Sequence, residues 1–87
     1  MKKTAVVILN YNGEKMLKQF LPSVVEYTPE DIADVVVADN ASTDRSLEIL
    51  KEQFPSVKTL VLDKNYGFAG GYNRAIAQLD YEYVLLL

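Results

Sequence analysis

Ala5-Val6-Val7-Ile8-Leu9, followed at once by Asn10-Tyr11-Asn12-Gly13, is the stretch on which the fold turns. A continuous β-branched run without polar alternation predicts a strand covered on both faces. The Asn-rich break, closing on Gly13, predicts a tight turn. A strand buried on both faces belongs inside a parallel sheet, and parallel neighbours need helical crossovers between them.

The chain downstream supplies those crossovers. From Glu14 to Glu26 the residues Met16, Leu17, Phe20, Leu21, Val24 and Val25 recur at helical spacing, and Pro22 predicts a kink or a fresh turn inside that helix. Thr28-Pro29-Glu30-Asp31 is a turn, and Asp34–Asp39 is a second buried strand. Ser42-Thr43-Asp44-Arg45 then opens a helix, with Ser42 or Thr43 as N-cap and Asp44 suited to the positive end of its dipole. Leu47, Ile49, Leu50 and Phe54 give its apolar face, and Pro55 ends it. Val57–Leu62 alternates partially, as an edge strand would. Asp63–Gly71 reads as a glycine-rich loop, Tyr72–Leu79 as a short helix with Ala75, Ile76 and Leu79 inward, and Tyr83–Leu87 as a fourth buried strand.

This order predicts an α/β fold: a Rossmann-like three-layer α/β/α arrangement with a mostly parallel four-stranded sheet and right-handed crossovers. The 87 residues make one domain at most, 1–87, with 49% hydrophobic residues for a core. Closing on five apolar residues, the chain reads as a truncated polypeptide. The short apolar run after the N-terminus is neither signal peptide nor membrane span, which predicts a cytoplasmic protein.

Composition excludes several classes. With 9 basic and 12 acidic side chains and a net charge of -3, there is no basic stripe for nucleic acid. Cysteine and histidine are absent, so thiolate metal sites are excluded and acid–base chemistry falls to Asp and Glu. No G-x-G-x-x-G follows the first strand and no G-x-x-x-x-G-K-[ST] occurs, so dinucleotide-binding and P-loop readings lack support. Asn10-Tyr11-Asn12 replaces the acidic residues that a phosphoacceptor site would carry after its first strand.

In an open parallel sheet, ligands sit beyond the carboxyl ends of the strands. Three polar clusters occupy those ends: Asn10–Gly13, Asp39–Asp44, and Asp63–Gly67 leading to Gly70, Gly71, Asn73 and Arg74. Each suits part of a nucleotide. Asp39 can accept from a base N–H or ribose hydroxyls, and Asn10, Asn12 and Asn40 both donate and accept. Tyr11 can lie against a base, and Arg74 can reach a phosphate. The glycines allow close approach near a helix N-terminus. Plain structural roles compete: Asn10 and Asn12 as turn formers, Asp44 as a helix-end charge, the glycines as turn shapers, and Tyr27, Tyr81 and Tyr83 as packing or surface residues.

Taken together, Val6–Gly13, Val36–Asp44 and Asn65–Asn73 resemble family 2 glycosyltransferases of the GT-A fold. Val6–Gly13 is similar to the family's opening strand and nucleotide-gripping loop. Val36–Asp44 is similar to its V-D-[ND]-x-S-x-D element, and Asn65–Asn73 to its N-x-G-x-[AS]-x-[AG]-x-N element. The rhamnosyltransferase-like branch shows the closest pattern. The resemblance implies inverting transfer of a sugar from a uridine- or thymidine-type nucleotide-diphosphate sugar to an acceptor glycan or lipid-linked glycan. It implies that Asp39 recognises the base beside Asn10, Tyr11 and Asn12, with Asn40, Ser42 and Asp44 supporting that pocket. Asn65, Gly67, Gly71 and Asn73 would frame the ribose and diphosphate. A Mn²⁺ or Mg²⁺ ion is implied for the larger enzyme, held by an Asp-x-Asp motif just beyond Leu87, and so is a catalytic base outside this stretch. The fragment alone would then be inactive, and the larger enzyme would work in the cytoplasm at the inner face of the plasma membrane, with room for homo-oligomers. A non-catalytic nucleotide-binding module or a structural α/β unit is the competing expectation.

Overall fold

The computed structural model describes residues 4–87; Met1, Lys2 and Lys3 of the expected unit lie outside the described residues. The elements alternate as β1 (Thr4–Asn10), α1 (Glu14–Glu26), β2 (Ala33–Asp39), α2 (Ser46–Gln53), β3 (Lys58–Val61), α3 (Gly67–Gln78) and β4 (Tyr83–Leu86). The four strands form one sheet in the order β3-β2-β1-β4, with every pairing parallel.

Side-chain alternation along the strands sorts the core into two layers. Ala5 and Val7 of β1 and Val36 and Ala38 of β2 pack on Tyr72 and Ala75 of α3. Val35 and Val37 face the other way, onto Leu17 and Leu21 of α1 and Leu50 of α2. Both faces of β1 and β2 are therefore covered, as their unbroken apolar runs predict. Leu21 is 1% exposed, and truncating such a side chain to alanine costs roughly 2–5 kcal/mol.

Four local expectations are corrected by the structure. α1 continues through Pro22 to Glu26. Pro22 and Lys18, whose carbonyl loses its partner to the ring, are both exposed, so water can satisfy that carbonyl. α2 begins at Ser46, so neither Ser42 nor Thr43 caps it; Asp44 Oδ1 instead accepts the Ser46 amide at 2.9 Å. α3 begins at Gly67 and takes in Gly70 and Gly71; of the chain's glycines only Gly67 has a positive φ, 75°. A Cβ at Gly71 would stand 2.8 Å from Leu9 Cδ1, so that glycine lets α3 settle closely on the end of β1. On that helix Tyr72 is buried, whereas Ile76, expected inward, is 37% exposed.

The fourth correction concerns β4. It pairs with β1 alone and forms the sheet edge, with Leu85, Leu86 and Leu87 54%, 46% and 59% exposed. An apolar run shows that both faces of a strand suit a core. It does not show that both are covered.

Candidate functional site

The register of the sheet places Asn10 opposite Asp39 at the carboxyl ends of β1 and β2. Asp39 is fully buried and Asn10 is 6% exposed. Isolating a carboxylate from water is costly unless donors surround it. Here Asn10 Nδ2 donates to Asp39 Oδ1 at 2.9 Å, the Ser42 hydroxyl to the same oxygen at 2.7 Å, and the Ser42 amide to Oδ2 at 2.8 Å. The carboxylate expected to meet a ligand directly is thus roofed over by the loop that follows it.

That loop is bound to the one after β1. Ser42 Oγ accepts the Asn12 amide at 2.9 Å, and Asn12 Oδ1 accepts the amides of Thr43 at 2.7 Å and Asp44 at 3.2 Å. Asn12 and Ala41 adopt φ of 50° and 64°. Asparagine tolerates this left-handed region. At Ala41 it costs about 1–2 kcal/mol, which the surrounding bonds must offset.

Asp44 Oδ2 takes the Glu14 amide at 3.2 Å, so one carboxylate serves the first turns of both α1 and α2. Burial alone would raise its pKa, but the Ser46 side chain and the amides of Ser46 and Glu14 outweigh this and hold the carboxyl below its ordinary value. The buried Ser46 hydroxyl itself has no partner in hydrogen-bonding geometry. The two amides are the firm contacts.

The third strand end joins through Asn40, which is 2% exposed. Its Oδ1 accepts the Tyr66 amide at 2.9 Å, and its Nδ2 donates to the Gly67 carbonyl at 3.0 Å. Asn65 Oδ1 accepts the Gly67 amide at 2.8 Å. Two cations lie against the Tyr66 ring, Lys64 Nζ at 5.2 Å and the Arg74 guanidinium at 4.4 Å from its centroid. Its hydroxyl donates to Asp63.

The polar clusters predicted to converge do so. Asn10, Asn12, Asp39, Ser42 and Asp44 form one bonded group, and Asn40, Asn65 and Gly67 form a second beside it. Tyr11 is half exposed, and of the three clefts it lines, two adjoin these polar groups. One, of about 300 Å³, is shared with Leu9, Asn40, Asn65, Gly67 and Phe68. The other, of about 400 Å³, runs along Asn12–Met16 to Asp44. Gly71 has no side chain to crowd Leu9 and the Asn40 amide, both of which a Cβ there would meet within 3.0 Å. Asn73 lies exposed on α3 and takes no part in these bonds.

Two participants escape the sequence pattern. Phe68, which lines the smaller cleft, is hidden inside a segment that reads as loop. Tyr72, which reads as the start of a short helix, is a buried residue whose hydroxyl accepts the Leu9 amide at 3.3 Å. An aromatic three or four positions before the apolar residues of α3 is the only available signal for either. Among the described residues no group of three or more acidic side chains comes together to hold a metal ion. The described residues therefore do not by themselves fit a divalent cation.

The glycosyl transferase family 2 model matches residues 5–87. The chain belongs to that family. It is 35% identical over 74 residues to N-acetylglucosaminyl-diphospho-decaprenol L-rhamnosyltransferase of Mycobacterium tuberculosis, a match covering 85% of this chain and 24% of that protein. Poly(ribitol-phosphate) beta-N-acetylglucosaminyltransferase TarS of Staphylococcus aureus is 33% identical over 91 residues, covering 100% of this chain and 16% of TarS. The crystal structure of TarS 1-349 in complex with UDP-GlcNAc superposes with a TM-score of 0.81 over 100% of this chain and 26% of that one. Mannosyltransferase PcManGT from Pyrobaculum calidifontis, in complex with GDP-Man and Mn²⁺, superposes at 0.72 with 25% identity, over 90% of this chain and 24% of that one. The chain thus spans about a quarter or less of the length of these curated relatives. Its α/β fold is the GT-A fold of its structural neighbours.

Proposed function

We propose that this chain forms the donor-nucleotide side of an inverting glycosyltransferase, which transfers a sugar from a nucleotide-diphosphate sugar to an acceptor hydroxyl of an envelope glycan or lipid-linked glycan. The observation that carries this reading is the coupling of three strand ends through Asp39 and Asn40 into one rigid edge beside open clefts. Such an edge meets the need for groups already placed before a ligand arrives.

In this reading Tyr11 offers its half-exposed ring to the base. Asp39 acts from beneath by fixing Asn10 and Ser42, and the base or ribose meets the groups so fixed. Asn65, Gly67 and the first amides of α3 face the ribose and diphosphate, where the positive end of a helix favours negative charge. Asn73 borders the same region from the exposed side of α3. Inversion follows if the acceptor hydroxyl displaces the nucleoside diphosphate in a single step, so that the bond to the anomeric carbon forms on the face opposite the one that breaks. The names of the rhamnosyltransferase and TarS relatives support an envelope acceptor, and the UDP-GlcNAc complex of TarS supports a uridine-type donor, with a thymidine-type donor kept within the reading. The reading places the whole enzyme at the inner face of the plasma membrane. Transfer also needs a base and charge stabilisation on the leaving diphosphate. The 87 residues alone should therefore bind donor and turn none over.

The test is an amide-resolved NMR titration of this chain with uridine, thymidine and guanosine diphosphates. Shifts gathered at Tyr11–Asn12, Asn40–Asp44 and Asn65–Gly67, and weakened by Ser42→Ala, are expected. A folded spectrum unmoved at millimolar nucleotide would overturn the donor-site reading. The anomeric configuration of the product made by the full-length enzyme tests inversion.

A further inference from the structure

We propose that Phe68 is the second aromatic wall of the nucleobase slot, facing the cleft from α3 as Tyr11 does from the loop after β1; this rests on the donor-site reading. Phe68 is 77% exposed on a helix whose buried face consists of Gly71, Tyr72 and Ala75. The core therefore does not use it. A single exposed apolar side chain is unremarkable on its own, but two further observations set this one apart.

The first is its place. Phe68 lines the cleft of about 300 Å³ together with Tyr11, Leu9, Asn40, Asn65 and Gly67. That lining combines two aromatic side chains with the side-chain amides of Asn40 and Asn65, which is the chemistry a planar heterocycle with polar edges requires. Flat ligands are held by aromatic faces, and their edges are read by amides.

The second is its contact with Tyr72. The Phe68 ring meets the Tyr72 ring edge to face, with centroids 5.1 Å apart and planes at 73°. Tyr72 is itself anchored by the bonds of its hydroxyl to Leu9 and Leu87. The turn that presents Phe68 is fixed by Asn40 and Asn65 on either side of Gly67. An aromatic side chain supported on one edge by a buried ring, and carried on a hydrogen-bonded turn, loses less freedom when a base stacks on it than an unsupported one would.

The chain contains no tryptophan, so Phe68→Trp introduces a single tryptophan, excited selectively over the tyrosines, at the proposed wall. Uridine diphosphate should quench its emission over the same concentrations that shift the Asn12 and Ser42 amides, whereas inorganic pyrophosphate, which has no base, should not. Phe68→Leu should weaken uridine diphosphate about tenfold and leave pyrophosphate affinity unchanged. Because Phe68 is exposed, the β1 and β2 amides should stay in place in both variants. Emission that does not respond while Asn12 and Ser42 shift, or a Phe68→Leu variant that binds like the parent, would overturn the role of Phe68 and leave the donor site standing. Silence in both measurements would overturn the donor site and this inference together.

Discussion

Ser42 binds both oxygens of Asp39, its hydroxyl reaching Oδ1 at 2.7 Å and its amide Oδ2 at 2.8 Å. With Asn10 Nδ2 also on Oδ1, every contact made by this carboxylate is one it accepts. Asp39→Asn keeps the shape but turns one acceptor into a donor, and neither orientation of the amide satisfies all the neighbouring donors. The expected loss is about 1–3 kcal/mol, read as a lower urea midpoint at unchanged slope. A midpoint equal to the parent's would mean that the buried network contributes nothing.

Gly71 stands too close to Leu9 to carry a side chain. Gly71→Ala should cost about 1–3 kcal/mol through overpacking. The same change in a Leu9→Ala background should cost at least about 0.5 kcal/mol less, because the opposing methyl groups are gone. Strict additivity in that double-mutant cycle would place the conflict elsewhere.

Asp44 predicts an acid limb in stability. Its folded pKa lies below the ordinary value because donors from Ser46 and Glu14 outweigh burial. A depressed carboxyl contributes stability that is present above its unfolded pKa of about 4 and is lost as pH falls through the folded value. Asp44→Asn should flatten stability measured by chemical denaturation between about pH 5 and pH 3. An unchanged limb would assign the acid sensitivity to other carboxylates.

At the opposite end of the strands, the Tyr81 hydroxyl donates to Asp34 at 2.6 Å, and Lys58 Nζ lies 3.1 Å from both Asp34 and that hydroxyl. Burial first and then Asp34 raise the Tyr81 pKa, and the Lys58 pKa is raised by Tyr81 first and then Asp34. Both contributions are complete below the unfolded values of about 10 and are lost as pH rises through the folded ones. Tyr81→Phe should remove part of the alkaline loss of stability above about pH 9.

Particular residues show what was legible in the sequence. Val6–Leu9 and Val35–Ala38 carry apolar side chains on both faces, so their strands and the parallel sheet follow from composition alone. Register then brings Asn10 to Asp39, and so the strand-end cluster could be anticipated. What could not be read were partners distant in sequence. Ser42 and Thr43 are good N-caps locally, but Asp39 and Asn12 occupy them and α2 starts later. Gly67, Gly70 and Gly71 are poor helix formers, yet the bonds from Asn40 and Asn65 and the packing on Leu9 draw them into α3. The exposure of β4 depends on strand order, which apolar character does not encode.

The Tyr72 hydroxyl accepts the Leu9 amide and donates to the Leu87 carbonyl, while the Leu87 amide still pairs with the Val7 carbonyl at 3.0 Å. In an uninterrupted parallel ladder the next rung would join Leu9 to Leu87 directly. A side chain from α3 occupies that rung, standing between β1 and β4 like a bead in the teeth of a zipper. The gap lies where the crossover helices change sides of the sheet. The join of the two strands there runs through α3, and a small shift of that helix would be felt first between them.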